Sequence, residues 1–316
     1  MAKRALQCPC TNQLRKTNLL QLFYTLVVDF KIKVMNKIAF SFVLLFTLLS
    51  AAAQETATDT LKYWTKKGNI SLLFNQSAYN KQWLGGGTSN VAGNLRLNYD
   101  FNYKKDDVVW DNKLILAYGL TKIKGDEKIA KTDDRLELNS LYGKKANGQW
   151  YYSMFFNFKT QMDTGLDKNM TKISHFFSPA YFQLGPGMLW KKNDNLSVNF
   201  SPATAKLIVV HPHFTELSPS FGVKQGDATR FEFGASISAY YKFNIMTNVS
   251  IENRLNLYSN YLDKPQNVDI DYQMNIIMKI NKYMSANVAV QAIYDDNSIQ
   301  AVQVREVFGL GVNYGF

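Results

Sequence analysis

The sequence predicts an all-β protein, an antiparallel transmembrane β-barrel of about twelve strands behind a cleaved signal peptide. Three observations predict it. Apolar and polar residues alternate with period two over long segments. Short and long connections between those segments also alternate. Tryptophans cluster beside the short connections. All three are read from the 316-residue chain.

The period is clearest over 268–281. Val268, Ile270, Tyr272, Met274, Ile276, Met278 and Ile280 share one face, and Asp269, Asp271, Gln273, Asn275 and Lys279 share the other, with Ile277 the exception. A strand separates these sets and a helix mixes them. The split recurs at 249–261, 230–243, 90–103 and 149–159. Twelve segments result: 68–79, 89–103, 108–122, 132–145, 149–162, 179–192, 195–208, 229–243, 248–261, 267–281, 285–296 and 302–316. Most are longer than soluble strands, and they suit a tilted bilayer crossing. No run is apolar and long enough for a spanning helix.

Lys104-Lys105-Asp106-Asp107, Ala146-Asn147-Gly148, Asn193-Asp194, Asn244–Thr247 and Lys282–Met284 form tight connections. Asn, Asp and Gly suit such turns. The intervening links are mostly longer: 80–88, 123–131, 163–178, 209–228, 262–266 and 297–301. This alternation matches short periplasmic turns and longer external loops. Trp110, Trp150 and Trp190, with Tyr103 and Phe243, fall beside the short turns and predict a periplasmic aromatic girdle. The chain closes on an alternating strand whose last residue, Phe316, is expected to serve as the signal for barrel assembly.

The first 53 residues are expected to leave the mature protein. Met35-Asn36-Lys37 opens a basic region, Ile38–Leu49 is apolar, and Ala51-Ala52-Ala53 offers a cleavage site. Residues 1–34 read as an extension upstream of the true start. Residues 54–67 then form a periplasmic tail and 68–316 the barrel. Cys8 and Cys10 both lie in the extension, so the mature chain has no thiol for a disulfide or metal site. The leader carries seven bases and one acid, which leaves 29 bases against 24 acids, a net charge of +5. The basicity of the full chain therefore does not point to nucleic acid.

The polar faces place both charges in the lumen: Arg96, Asp100, Lys113, Arg135, Glu137, Lys159, Arg230, Glu232, Glu252, Arg254, Asp269, Asp271, Lys279 and Arg305. Such charges either pair and fill the interior or line a polar conduit that selects solutes. Glu306 falls on the lipid side, which places it at the external rim or behind a register-shifting bulge. Gly85-Gly86-Gly87 lacks the Lys-Ser/Thr and helix of a phosphate loop and reads as an external bend.

Catalysis finds little support. His175 with Ser178, or His213 with Ser218, offers a His–Ser pair, but neither sits in a recognised motif. His211, His213 and Glu216 lack a complete metal-ligand arrangement. No enzymatic activity, metal or cofactor is expected.

Trp83 with Gly85-Gly86-Gly87, Ser201-Pro202 leading into Lys206-Leu207, Ser218-Pro219-Ser220-Phe221-Gly222, Tyr294-Asp295-Asp296 and Val304–Phe316 span nearly all of the mature chain. With these residues the chain resembles a Bacteroidota outer-membrane family filed as domain of unknown function 3078. The resemblance implies an outer-membrane barrel and supplies no activity or catalytic residues. The expected role is a narrow pore or solute-binding barrel; the alternative is a scaffold for an envelope complex, and a rim-active lipid hydrolase ranks last. The expected partners are outer-membrane lipid, the barrel-assembly machinery, and a small solute or envelope protein, with no nucleic acid.

Overall fold

The computed structural model describes residues 63–78, 88–126, 128–167, 169–297 and 299–316. The expected leader, Trp83 and Gly85-Gly86-Gly87 lie outside these residues. Twelve antiparallel strands close into a barrel: β1 (Trp64–Ser77), β2 (Asn90–Lys105), β3 (Val108–Ile123), β4 (Ile129–Asn147), β5 (Trp150–Thr160), β8 (Ala180–Asn193), β9 (Leu196–Val209), β10 (Thr229–Met246), β11 (Val249–Asn260), β12 (Asp269–Lys279), β13 (Met284–Asp295) and β14 (Ile299–Gly315). Each strand pairs with its chain neighbours, and β1 pairs with β14 to shut the ring. Closure gives each strand a backbone partner on both sides, the condition for a sheet to stand in lipid. The alternation predicts β1 from residue 68; it begins at Trp64, because Trp64 to Lys67 continue the ladder against Tyr103 to Asp100.

Two small elements sit in the long connections. A hairpin of β6 (Gly165–Leu166) and β7 (Lys172–Ser174) follows β5, and a short helix α1 (Pro212–Thr215) follows β9. Their few residues carry no repeating apolar period, so the pattern gives no sign of them. The tight turns lie at the opposite end. Gly148 turns the β4–β5 hairpin with φ +57°, a region that costs other residues a steric clash.

Adjacent residues separate the two faces of the wall. Leu72 is 54% exposed and Leu73 only 5%. Leu72 points outward with Ile70 and Phe74, which are also exposed. The same outward belt includes Leu95, Leu184, Phe200, Phe231, Leu310 and Val312. An apolar surface this extended has no favourable contact with water and is suited to hydrocarbon. Asn253, on the outward face, is held by the Tyr272 hydroxyl at 2.8 Å.

At the short-turn end the outward face is aromatic. Trp64 lies 5.8 Å from Trp110 and 5.2 Å from Tyr103, centroid to centroid. Trp150 pairs with Trp190 across β5 and β8, and Phe243 stacks on Tyr241. Trp110 donates to Ser140 Oγ, which donates to Asn112 Oδ1. This chain satisfies polar atoms on a face that is otherwise apolar.

Glu306 stays on the outward face. Its pairing with Val290 lies between Ala289–Val307 and Gln291–Arg305, and the register runs through it unbroken. A bulge therefore does not turn it inward; the β13–β14 irregularity lies farther on, at Ile293–Asp295.

Candidate functional site: a bridged lumen and its chamber

The lumen is crossed by charged side chains. Lys113 on β3 lies 3.4 Å from Asp100 and 3.8 Å from Glu252 on β11. Arg135 on β4 donates to Gln273 on β12 at 3.2 Å. In the closed strand order, β3 and β11 lie six places apart, as do β4 and β12, which is half the circuit. These contacts therefore join opposite walls. Arg96 on β2 reaches Asn275 on β12 at 3.1 Å, and Arg305 on β14 reaches Asp133 on β4 at 2.7 Å.

Local pairs complete the bridge. Arg135 contacts Glu137 at 3.5 Å, and Arg254 contacts Glu252 at 2.7 Å. Lys159 on β5, five places from β12 in the strand order, adds another contact across the lumen, 3.6 Å from Asp271, whose carboxylate also accepts from Gln291. Nearer the long-loop end, Glu232 holds Arg230 at 2.7 Å and Lys206 at 3.1 Å; Lys206 also reaches Asp269 at 3.0 Å. Glu232 is almost fully buried. A charge so placed persists only when paired, because desolvation penalises it.

Of the charges expected in the lumen, Arg96, Asp100, Lys113, Arg135, Glu137, Lys159, Arg230, Glu232, Glu252, Arg254, Asp269, Asp271 and Arg305 enter these contacts. Lys279 shares their face, opposite Ser285 at the short-turn end, and is exposed. Asp111, Asp133, Lys191 and Lys206 belong to the same interior and were missed. Lys191 lies 2.6 Å from Asp111. Asp133 stands two residues before Arg135, so strand parity is the signal that finds it.

A cavity of about 550 Å3 lies on the long-loop side, among β4, β5 and β8 to β14. Asn139, Asn157, Gln183, Asn199 and Asn256 line it, together with Lys159, Lys206, Asp271, Tyr181, Tyr258 and Tyr294. Phe221 and Pro179, from the two longest described loops, reach it from above. The β9–β10 loop is folded rather than open. Val210 and Val223 are buried with Ile208, packed against Tyr181, Phe214 and Phe221. Thr215 Oγ bonds the Pro212 and Asp227 carbonyls, and Arg230 donates to the Gly222 carbonyl at 3.0 Å. The result is a polar and aromatic chamber with a loop roof, lined in part by the paired charges Arg135, Glu137, Lys159 and Asp271.

Among the described residues, no side-chain hydrogen bond joins His175 to Ser178 or His213 to Ser218, although the backbones of His175 and Ser178 pair. His175 Nδ1 lies 2.6 Å from the Phe176 carbonyl, while Ser178 Oγ accepts from the His211 N–H at 2.8 Å. His213 approaches Glu216 only at 4.0 Å, both exposed. Among the described residues, the single group of His, Cys, Asp or Glu side chains close enough to share a metal ion is Asp269, Asp295 and Asp296.

The family described as protein of unknown function (DUF3078) matches residues 74–166, from the end of β1 to β6. A search of curated proteins gives no match. Several solved barrels are similar in fold. An outer-membrane channel from Pseudomonas putida F1 is 11% identical, with TM-score 0.36, over 82% of this chain and 99% of that one. The translocator domain of the autotransporter NalP from Neisseria meningitidis is 9% identical, with TM-score 0.33, over 90% and 98%. The outer-membrane channel DcaP of Acinetobacter baumannii is 11% identical, with TM-score 0.32, over 80% and 97%. The barrel assignment rests on this chain's own closed strand ladder and not on these likenesses.

Proposed function

We propose that this chain is a bacterial outer-membrane barrel that admits a small polar solute to the chamber and restricts its passage at the charged bridge. The apolar belt, the aromatic end and the alternation of turns and loops support the membrane placement. The observation that carries the solute reading is the chamber, about 550 Å3, beside side chains that join opposite walls. That volume and mixed lining suit a small molecule. Paired charges of both signs favour polar solutes and oppose free flow of ions. No catalytic step is assigned.

Single-channel recording in planar bilayers tests this. The wild-type chain should give small discrete steps. Replacing Lys113 and Arg135 together with Ala removes two wall-to-wall contacts and should enlarge them several-fold. Silence from both proteins, each shown to be folded, would overturn the solute reading. It would favour the second one, a barrel braced by its own lumen that serves an envelope partner. The wall-to-wall pairs themselves are what give that second reading its footing.

A further inference from the structure

Six lysines face inward at the short-turn end: Lys67 on β1, Lys104 on β2, Lys145 on β4, Lys191 on β8, Lys242 on β10 and Lys279 on β12. All six lie inside strands, so strand parity sets their direction. Lys67 pairs with Asp100 and Lys242 with Glu252, and both acids belong to the lumen bridge. Trp110 pairs with Tyr103 and Tyr142 on the outward face, so Lys104 and Lys145, one and three residues further on, turn inward. Lys191 follows the outward Trp190, and Lys279 shares the inward face of Asp271. In the closed strand order, successive members stand two or three places apart, or one for β1 and β2. The lysines therefore encircle the opening.

Few acids answer them. Lys191 contacts Asp111 at 2.6 Å and Asp194 at 3.5 Å. Among the described residues the other five enter no ion pair, with Asp100 held by Lys113, and Glu252 by Lys113 and Arg254. Lys67, Lys104, Lys145 and Lys279 are exposed. Lipid headgroups do not account for this ring. Lys66, Lys105, Lys144 and Lys192 take the outward positions of the same strands, where headgroups would meet them, and Lys105 lies over the Tyr63 ring at 4.8 Å. At the long-loop end the charges without an ion pair have both signs, Asp295 and Asp296 with Lys224 and Lys264 in the β9–β10 and β11–β12 loops.

Given a lumen that passes a solute, the reading on which this one rests, we propose that the solute is a small anion, drawn in at the short-turn mouth by the ring of lysines. An opening lined by one sign of charge between low-dielectric walls focuses its field and concentrates counter-ions there. Rings of Lys and Arg serve anion pores in this way. The charges of the bridge are paired and largely cancel. The ring, mostly unpaired, sets the sign of what enters.

The test measures the reversal potential across planar bilayers that hold the full mature barrel, under a gradient of potassium chloride. Its sign should report a severalfold preference for chloride over potassium. The preference should fall as total salt rises, because exposed charges are screened. Potassium acetate should give the same sign. Lys67→Gln, Lys145→Gln and Lys279→Gln together should bring the permeability ratio near unity. Lys66→Gln with Lys144→Gln, on the outward face, should leave it unchanged. Heat-modifiable gel mobility establishes that each protein is folded. If the triple variant fails to fold, Lys279→Gln alone replaces it and should shift the potential in the same direction. If only the variant without Lys113 and Arg135 conducts, the same measurement on it decides. Conduction with no preference or a preference for potassium, in either salt, would overturn the anion proposal and leave the solute reading standing. An unchanged ratio in the folded ring variant would do the same. Silence from the folded wild type and from the variant without Lys113 and Arg135 would overturn both.

Discussion

The ring of the terminal Phe316 lies over Gly68 where a side chain would otherwise stand. A Cβ on Gly68 would fall 2.2 Å from the Phe316 ring. The two residues also exchange backbone hydrogen bonds, Gly68 N to Phe316 O at 2.7 Å and Phe316 N to Gly68 O at 3.0 Å. The ring stacks further on Tyr314 and Tyr99. The last residue of the chain thus helps to close the barrel at the β1–β14 seam. Gly68→Ala should displace the ring without breaking the ladder, costing about 1 kcal/mol of aromatic contact. Phe316→Ala should then cost less in the Gly68→Ala protein than in the wild type. Urea unfolding of all four proteins measures this coupling, and strictly additive losses would contradict it.

Glu232 gives the lumen its sharpest electrostatic test. It is buried between Arg230 and Lys206, and each of these bases has a second acid farther out. Glu232→Gln keeps the shape and removes the charge that holds both. The loss should stay below about 3 kcal/mol, the scale for orphaning a buried charge, because Lys206 keeps Asp269 and Arg230 keeps Asp263. Replacing Glu232 with Gln and Lys206 with Met together should cost less than the sum of the single changes. A loss within about 0.5 kcal/mol for Glu232→Gln alone, the scale of an ordinary surface change, would show that this interior is wetter than its packing implies.

Much of the wall was legible because period two is a strong local signal. Val268 to Ile280 shows both faces in one glance, and the strand follows Asp269–Lys279 closely. Ile277, the exception to the pattern, does point inward, opposite Asn287. Cross-lumen geometry was not legible. Arg135 and Gln273 stand 138 positions apart, and only closure of the ring makes them neighbours. Asp295 and Asp296 appeared only as part of a motif, because their convergence with Asp269 depends on how two hairpin ends meet. The α1 turn and the β6–β7 hairpin carry too few residues to show a period.

Asp163, in the loop after β5, accepts from the Tyr118 hydroxyl at 2.7 Å and from the Thr164 N–H at 2.7 Å. The hydroxyl first, and then the N–H, hold its carboxyl below the usual aspartate value. Lowered affinity for a proton means that the contribution to stability is complete above the ordinary value, about 3.9. It is lost as pH falls below that value through the lowered one. Tyr118→Phe removes the main donor and should move the Asp163 titration upward. Carboxyl carbon chemical shifts followed against pH would show this. An unmoved titration would mean that the hydroxyl does not hold the carboxylate in solution.

Trp150 and Trp190 face each other across β5 and β8 beside the short turns, with Trp110 and Trp64 at the same end. Trp150 is 48% exposed and Trp110 39%, on the face that carries the apolar belt. Indole favours the headgroup level, where its ring meets hydrocarbon and its N–H meets polar partners. In vesicles of brominated lipid, these residues should be quenched most by bromines high on the acyl chain and least by bromines near the bilayer centre. The Trp83→Phe protein removes the only other tryptophan of the chain and isolates this group. Further change of Trp150 and Trp190 to Phe should remove a large share of the quenchable emission. Quenching that is equal at all depths, or absent, would contradict a girdle at the membrane boundary and with it the orientation of the barrel.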